Sequence, residues 1–365
     1  MMSSTNFETR ALIPKMPKTE ALIPYLQQID ENRWYSNFGP LNEQLTERFA
    51  KYFSVQSNMV CTISNATLGL QAVLTNINVD KSASVEVPSF TFSASVAAIL
   101  SSMRNVSFID IDNQMRCIPS EGAKLIMDVL PFGAAPRFPE WYRDADFVVV
   151  DGAASFDALK DVGLQKSMKE NIAIVVSLHS TKLIGGGEGG IIISKNIELI
   201  QMIKKWQNFG FDIENTKNRS STFAGTNAKM SEYSCAVTLA SLDNWDVTRS
   251  DYLNIALQAK QICASINLNV HQAMTEDYAT PNWIIISERK RQLEEIKKAF
   301  ESLGFETKKW WQEGCHKMSA YSSFIKKPLT NTDSISERYL GLPFHLFLPN
   351  KYWYFAKKIL SEIEF

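Results

Sequence analysis

Short apolar runs alternate with helical patterns from about residue 40 to residue 240. Several of the runs are apolar on both faces, as strands are when helices cover both sides of a parallel sheet. The predicted strands are residues 59–63, 84–87, 106–109, 125–129, 147–150, 173–177 and 190–194. The predicted helices between them include residues 41–52, 67–74 and 93–101. Such alternation is typical of a doubly wound α/β layer.

The pattern changes after about residue 243. Helical patterns at 253–266, 292–303 and 352–363 accompany one strand pattern at 282–286, which predicts a smaller α+β unit. We therefore expect a large α/β domain over residues 1–245 and a small C-terminal α+β domain over residues 246–365. The stretch before Glu20 has no strong hydrophobic periodicity, so its sequence is compatible with packing on either domain.

The composition excludes several classes of partner. The 365 residues carry a formal net charge of −1, so no excess cation is available to bind nucleic acid or an anionic membrane. No apolar stretch approaches the roughly 20 residues that span a bilayer, and residues 1–8 lack the basic and apolar regions of a secretory leader. The five cysteines contain no C-x-x-C pair, and the four histidines lack metal-ligand spacing. We expect a cytoplasmic protein without a metal.

The first segment with chemical meaning is S-N-A-T-L-G-L at residues 64–70, between a predicted strand and a predicted helix. Unpaired amides at a helix N-terminus bind phosphate, and Thr67 adds a hydroxyl. An ordinary N-cap is the alternative interpretation. The single glycine of this segment disfavours a nicotinamide-dependent oxidoreductase, which needs G-x-G-x-x-G after its first strand.

The second segment is the apolar run F-V-V-V followed directly by Asp151. A carboxylate in this position lies at the carboxyl edge of the sheet, where open α/β sheets bind ligands. When ionised, it can hold a pyridine-type nitrogen protonated, which makes a ring cofactor an electron sink. The alternative is that Asp151 caps the next helix.

The third segment is S-L-H-S-T-K-L-I-G-G-G-E-G-G at residues 177–190, which contains five glycines. The glycines let the backbone approach a ligand closely and place Lys182 on a tight loop. A lysine in poor solvent near a cation has a lowered pKa and becomes an amine nucleophile. A plain turn with a solvated lysine is the alternative, but G-E-G-G after S-x-H-x-T-K favours a functional loop.

With these three segments in this order, the chain resembles the DegT/DnrJ/StrS family of pyridoxal phosphate-dependent nucleotide-sugar aminotransferases over about residues 20–245. Further landmarks are W-Y-S-N-F-G-P at 34–40, P-S-F-T-F at 88–92, F-I-D-I-D at 108–112 and G-T-N-A-K-M-S-E at 225–232. The C-terminal part matches more loosely, through C-H at 315–316 and L-P-F-H at 342–345. The resemblance implies an aspartate-aminotransferase-like fold with a large, mixed, mostly parallel sheet and a smaller C-terminal domain.

The resemblance also implies how the catalytic residues act. Lys182 would form the internal aldimine with pyridoxal 5′-phosphate and would later move the proton between the two carbons of the substrate adduct. Asp151 would pair with the pyridinium nitrogen, and Phe92 would stack on the pyridine ring.

Further residues are implied to bind the phosphate or the substrate. The phosphate-binding groups from the same chain are Thr67, the amide of Leu68 and the hydroxyl of Ser177. In a homodimer whose active sites lie at the interface, the groups that reach the neighbouring subunit's phosphate are Asn227 or Lys229. The residues implied to contact the substrate are Tyr35, His179 and His316.

The implied reaction moves an amino group from L-glutamate to a keto group on a nucleotide-linked deoxysugar. The commonest nucleotide in the family is dTDP, with UDP as the main alternative. The product would be a deoxyamino sugar for lipopolysaccharide or O-antigen biosynthesis. Relatives that dehydrate have histidine at the lysine position, so Lys182 favours amino transfer. The sequence leaves 3- or 4-amination and the sugar configuration open.

The sequence departs from the family pattern in two places. The family has D-x-x-Q or D-x-x-H near the phenolic oxygen of the cofactor, whereas this chain has Ala154, with Ser155 as a candidate substitute. The stretch between Asp112 and Ile126 is shorter than in the family, so we expect a trimmed or missing helix. Ala154 leaves a non-catalytic cofactor-binding regulator as an alternative. A further alternative is an aminotransferase that acts on another keto-polyol, such as a keto-inositol.

Overall fold

The computed structural model describes residues 7–211, 220–324 and 327–363. Its helices are α1 (Thr19–Asn32), α2 (Pro40–Tyr52), α3 (Ala66–Asn76), α4 (Ser93–Ser101), α5 (Trp141–Asp144), α6 (Leu164–Ser167), α7 (Ile197–Trp206), α8 (Glu232–Asp243), α9 (Trp245–Ala264), α10 (Lys290–Ser302), α11 (Thr330–Ser336) and α12 (Asn350–Glu362). Its strands are β1 (Val60–Ile63), β2 (Val85–Pro88), β3 (Val106–Ile109), β4 (Leu125–Val129), β5 (Phe147–Asp151), β6 (Ile172–Ser177), β7 (Gly190–Ser194), β8 (Asn269–Val270), β9 (Trp283–Ile286) and β10 (Tyr339–Leu342). Within these ranges no helix is long and apolar enough to cross a membrane.

The first seven strands form one sheet in the order β1-β7-β6-β5-β4-β2-β3. Strands β3, β2, β4, β5 and β6 pair in parallel. Strand β7 runs antiparallel to both of its neighbours, β6 and β1. The prediction of a large, mixed, mostly parallel sheet is therefore confirmed, with each predicted strand placed to within one residue.

Helices cover both faces of this sheet, which explains why its central strands β5 and β6 are apolar on both faces up to their last residues, Asp151 and Ser177. Every residue of β6 is buried. Ile172, Ile174 and Val176 belong to one hydrophobic core, while Ala173 and Val175 belong to the core on the other face. Successive side chains of a strand point to opposite faces, so a strand covered on both sides is apolar at most positions.

The sheet brings the three segments with predicted chemistry to one edge. Parallel strands β1, β5 and β6 all end there, at Ile63, Asp151 and Ser177. Gly190, the first residue of the antiparallel β7, pairs with both Ile63 and Ser177. The helix-start segment, the carboxylate and the lysine loop are therefore neighbours in space, although they are far apart in sequence.

Two glycines let α3 begin directly against this edge. A Cβ on Gly190 would lie 2.9 Å from the amide nitrogen of Ala66, and a Cβ on Gly69 would lie 2.9 Å from Cγ1 of Val175. Any side chain at either position would push the helix away from the sheet. The close approach places the N-terminus of α3 beside the ends of β1, β6 and β7.

The C-terminal unit contains an antiparallel sheet in the order β10-β9-β8, packed with α9, α10 and α12. The N-terminal strap, residues 7–18, contacts both units: its first half pairs with the C-terminal unit, and residues 15–18 lie beside Leu183 and Ala240 of the large unit. Thr9 bridges to Phe305, and the amide of Phe344 donates to the carbonyl of Ala11 at 3.0 Å. These backbone pairings carry no apolar period, so the sequence could not assign the strap to a domain.

The shortened stretch before β4 contains no helix, as expected. Residues 110–124 are all described, and they form an irregular connection held by a bridge between Ile111 and Cys117.

A buried carboxylate joins the two units. Asp157 accepts hydrogen bonds from Nε of Arg249 in α9 at 2.8 and 3.0 Å, and from the amide of Ala279 at 2.6 Å. The hydroxyl of Tyr52 in α2 also donates to it. Because the Asp157 side chain is fully buried, each of these donors offsets part of the cost of removing the charge from water.

Replacing Asp157 with alanine should strongly destabilise the protein, because it leaves Nε of Arg249 and the hydroxyl of Tyr52 without their acceptor. We expect the free energy of unfolding to fall by about 3–5 kcal/mol, as for other broken buried ion pairs. Chemical denaturation followed by circular dichroism measures this. Glu276→Ala, which removes an exposed partner of Lys260, is the matched control and should cost less than about 1 kcal/mol. Equal losses in the two variants would contradict the role of Asp157.

Candidate active site

A cavity of about 690 Å³ opens at the carboxyl edge of the large sheet. The large unit contributes the first turn of α3, the P-S-F-T-F segment, the end of β5 and the Lys182 loop, residues 178–189. The C-terminal unit and the strap contribute Leu12, Pro281, Asn282, Trp310 and Trp311. Both units of the fold therefore enclose the same space.

The N-terminus of α3 offers backbone donors to this cavity. Asn65 is the N-cap, and its Oδ1 accepts the amide of Leu68 at 2.9 Å. The amides of Ala66 and Thr67 face no acceptor among the described residues. The Leu68 amide, named from the sequence, is thus already engaged in this structure, and the two preceding amides are the available ones. The first helical turn also bears the positive end of the helix dipole.

Asp151 lies at the end of β5 and is only 6% exposed. Its Oδ2 accepts the hydroxyl of Ser95 at 2.6 Å, and its Oδ1 accepts the amide of Ala153 at 3.1 Å. Burial raises the pKa of this carboxyl, whereas the two hydrogen bonds and the nearby charge of Lys182 lower it. A buried carboxylate of this kind favours a cationic partner from the cavity.

Lys182 lines the same cavity. Its amide donates to the carbonyl of His179 at 2.8 Å, and the amide of Gly186 donates to the carbonyl of Leu178 at 2.7 Å, so the loop is a tight backbone turn. Loss of surrounding water lowers the pKa of the Lys182 amine, and the charge of Asp151 partly opposes this. The amine is therefore closer to its nucleophilic form than a solvated lysine.

His179 and Ser177, both named from the sequence, also line the cavity. Ser177 Oγ accepts the amide of His179 at 3.2 Å. His179 Nδ1 contacts Oγ1 of Thr181 at 2.8 Å, and its Nε2 lies 3.7 Å from Oε1 of Glu188. These contacts orient the imidazole at the rim, between the lysine loop and solvent.

Phe92 lines the cavity, as expected, and is 61% exposed. Asn227 and Lys229 lie outside the cavity of their own chain, where Lys229 Nζ donates to Oδ1 of Asn227 at 2.8 Å. Tyr35 also lies outside, stacked on Tyr233 with ring centroids 6.3 Å apart. Contacts by these three residues with a ligand in this chain remain predictions.

His316 does not face the cavity. The ring is buried, with Nδ1 2.6 Å from Oγ of Ser89 and Nε2 3.1 Å from Oδ1 of Asp333. In this arrangement it fastens the start of the P-S-F-T-F segment to α11. Ser155 likewise faces away, because its hydroxyl donates to the carbonyl of Ala134 at 2.8 Å. The suggestion that Ser155 replaces the missing side chain at Ala154 is therefore wrong.

Sequence reasoning missed two groups of residues. Thr91, within the P-S-F-T-F segment, and Ser95, in the first turn of α4, are four residues apart, and this spacing of two hydroxyls was a detectable signal. The aromatic wall, formed by Trp310 and Trp311, comes from the loosely matching C-terminal part and carried no local motif. Only the packing of the two units brings that wall to the cavity.

Three comparisons relate this chain to known proteins. A profile of the DegT/DnrJ/EryC1/StrS aminotransferase family matches residues 17–352. Protein Rv3402c of Mycobacterium tuberculosis is 30% identical over 254 residues, which cover 64% of this chain and 60% of that protein. The chain therefore aligns with about 60% of the length of Rv3402c and of the equally similar Mycobacterium tuberculosis protein MT3510.

Two further relatives align over more of their length. The dTDP-4-amino-4,6-dideoxy-D-glucose transaminase of Shigella dysenteriae is 26% identical over 260 residues, which cover 68% of each chain. A Bacillus cereus crystal structure assigned to the PLP-dependent aminotransferases superposes with a TM-score of 0.83 at 26% identity, covering 97% of this chain and 98% of that one.

Asp151 and Lys182 should respond to each other's charge. Because the carboxylate stabilises the ammonium form, Asp151→Asn should lower the pKa of Lys182 further and increase its reactivity near pH 8. In protein freed of small ligands, we expect acetic anhydride to label Lys182 roughly two- to tenfold faster in the variant. Peptide mass spectrometry measures the labelling, with the exposed Lys51 as internal reference. Slower labelling in the variant would contradict this coupling.

Proposed function

Since the chain belongs to the DegT/DnrJ/EryC1/StrS aminotransferase family, we propose that it is a pyridoxal phosphate-dependent aminotransferase acting on a nucleotide-linked keto-deoxysugar. L-Glutamate is the proposed amino donor, and dTDP is the proposed nucleotide, which the name of the Shigella dysenteriae relative also contains. The observation that carries the proposal is the convergence of Asp151, Lys182 and the α3 N-terminus on one cavity.

The residues around the cavity fit pyridoxal phosphate. The open amides of Ala66 and Thr67 are donors suited to its phosphate, and the hydroxyl of Ser177 adds another. Asp151 is buried and makes no direct ion pair within the described residues, so a protonated ring nitrogen supplies the cation it lacks. Lys182, with its lowered pKa, suits the aldehyde. The exposed ring of Phe92 is available to stack on the cofactor.

When bound, pyridoxal phosphate supplies an aldehyde that bonds to amines and a ring that withdraws electrons from the neighbouring carbon. Lys182 Nζ would bind the aldehyde carbon of the cofactor, and as a free amine it would move the proton between the α-carbon of the amino donor and that carbon. Asp151 would hold the ring nitrogen in its protonated form, and the amides of Ala66 and Thr67 would hold the phosphate.

The C-terminal wall of the cavity supports a sugar as the acceptor. Trp311 stacks on Phe132 with ring centroids 4.6 Å apart and planes 10° apart, forming a flat apolar surface. Asn282, His179 and Glu188 supply polar groups around the same cavity. A sugar ring has an apolar face and a rim of hydroxyls, so a wall of this composition can bind both.

We further propose that the active sites are completed across a homodimer. Several large aromatic side chains on the large unit are between 44% and 61% exposed: Trp34, Tyr35, Phe92, Phe209 and Tyr233. Exposed apolar groups of this kind mark interaction surfaces when they are contiguous. Lys229 Nζ lies 4.8 Å from the ring centroid of Phe209, outside its own cavity, where it is available to a partner's site.

The cofactor should be detectable directly. Purified protein supplied with pyridoxal phosphate should show a visible absorbance band, and borohydride should attach the cofactor covalently to Lys182. Lys182→Ala should lose the band and the attachment, because Nζ is the proposed bonding atom. Lys195→Ala, whose amine donates to the carbonyl of Gln165, is the control and should keep both. Wild-type protein without such a band contradicts the proposed function.

The acceptor is tested with a panel of keto-sugar nucleotides and glutamate, with the products identified by mass. We expect amination of a dTDP-linked keto-deoxysugar. Conversion of the bound cofactor by glutamate without turnover of any sugar would support another keto-polyol acceptor. A bound cofactor that glutamate does not convert would support the non-catalytic regulator.

The shared site should allow two inactive variants to restore each other. Lys182→Ala and Lys229→Ala should each lose most activity, the second through weaker phosphate binding. After dissociation and mixing, about a quarter of the sites should combine an intact Lys182 with an intact Lys229, from random pairing of a C2 dimer. Activity that returns to roughly that fraction supports the interface site. No recovery from a mixture that has formed dimers contradicts it.

A further inference from the structure

A chain of two hydroxyls leads from the cavity wall to Asp151. Thr91, which lines the cavity, has its Oγ1 2.8 Å from Oγ of Ser95. Ser95 Oγ in turn donates to Oδ2 of Asp151 at 2.6 Å. Both hydroxyl residues are almost completely buried, with 1% exposure for Thr91 and 0% for Ser95.

The chemistry of the three groups sets the direction of these hydrogen bonds. An ionised carboxylate only accepts, so the single proton of Ser95 points to Asp151. Ser95 then has only lone pairs left for Thr91, and Thr91 must donate to Ser95. The donation from Thr91 polarises the Ser95 hydroxyl and strengthens its bond to the carboxylate.

The hydrogen bond from Ser95 influences the charge state of Asp151, because few other groups near this carboxyl favour its ionised form. Burial favours the neutral acid, and the opposing interactions come from Ser95, the amide of Ala153 and the charge of Lys182. Ser95 is the one side chain that donates a hydrogen bond to Asp151 within the described residues. These bonds occupy two of the roughly four lone-pair positions of a carboxylate, which leaves others open to a ligand.

On the basis of the proposed function, we propose that Ser95, supported by Thr91, is the positioning residue that keeps Asp151 a carboxylate when the cofactor's ring nitrogen is bound. A proton shared between Asp151 and the nitrogen lies on the nitrogen only if the carboxylate is the weaker base. The donation from Ser95 stabilises the carboxylate charge and so makes Asp151 that weaker base.

The C-terminal unit holds the chain of two hydroxyls, Thr91 and Ser95, in place. Cys315 Sγ donates to the carbonyl of Thr91 at 3.3 Å, and the amide of Cys315 donates to the carbonyl of Ser89 at 2.8 Å. The P-S-F-T-F segment therefore cannot shift without breaking contacts between the two units. Thr91 Oγ1 is kept within reach of Ser95 by the same contacts.

The position of the proton can be read from pyridoxal phosphate labelled with 15N in its ring, bound to the protein at neutral pH. In wild-type protein the nitrogen chemical shift should be that of a protonated ring. In Ser95→Ala it should move toward the unprotonated value, and the cofactor should bind roughly tenfold more weakly, as expected for losing a hydrogen bond to a charged group. Thr91→Val should change both readouts in the same direction but less, by roughly threefold in affinity.

Ser101→Ala, on the exposed end of the same helix, is the matched control and should change neither readout. If Ser95→Ala does not fold, Ser95→Cys keeps the size and a weak donor and should give an intermediate nitrogen shift. A protonated nitrogen and unchanged affinity in the Ser95 variant that folds would overturn the role of Ser95 while leaving the proposed function intact. A wild-type protein that does not bind the cofactor at all would instead contradict the proposed function, and this proposal with it.

Discussion

Burying the Asp151 carboxylate at the carboxyl edge of the large sheet is the constraint on which the site depends. A charge in that position is stable only with donors and cations around it, and Ser95, Ala153 and Lys182 provide them. The same requirement supports the proposed pairing of Asp151 with a cationic ring nitrogen, because such a cation would offset part of the cost of burying the carboxylate.

The two units have unequal roles in building the cavity. The large unit presents the chemically active groups because its parallel strands end at a common edge, beside the N-terminus of α3. The C-terminal unit contributes apolar wall and backbone anchors, through Trp311 and Cys315. Asp157 and the N-terminal strap hold the units together, so the shape of the cavity depends on contacts outside it.

Much of this could be predicted from the sequence because the signals are local. Strands β1 to β7 are short, largely apolar runs, and the glycines around Lys182 and the position of Asp151 at the end of β5 are direct sequence features. His316 and Ser155 could not be placed in the same way. Whether such a side chain faces a ligand or a buried partner depends on residues distant in sequence, here Ser89 and Ala134.

The Leu68 amide illustrates the same limit within a single turn. The sequence indicated a helix start that can bind an anion, but Asn65 takes the Leu68 amide and leaves the amides of Ala66 and Thr67 open. The same residues also allow Asn65 to accept from the Thr67 amide, because N-cap side chains accept from the second or the third helical amide. The geometry of the turn decides which amides remain.

By itself, the sequence determined the strand and helix order, the resemblance to a family and the identities of the lysine and the carboxylate, because these follow from periodicity and from residues adjacent in the chain. Only the tertiary structure decided which hydroxyls support Asp151, which wall faces Lys182 and which predicted residues lie outside the cavity. Those outcomes depend on contacts between segments far apart in sequence, such as Thr91 with Cys315. No local pattern encodes such contacts, since they exist only after both units have packed.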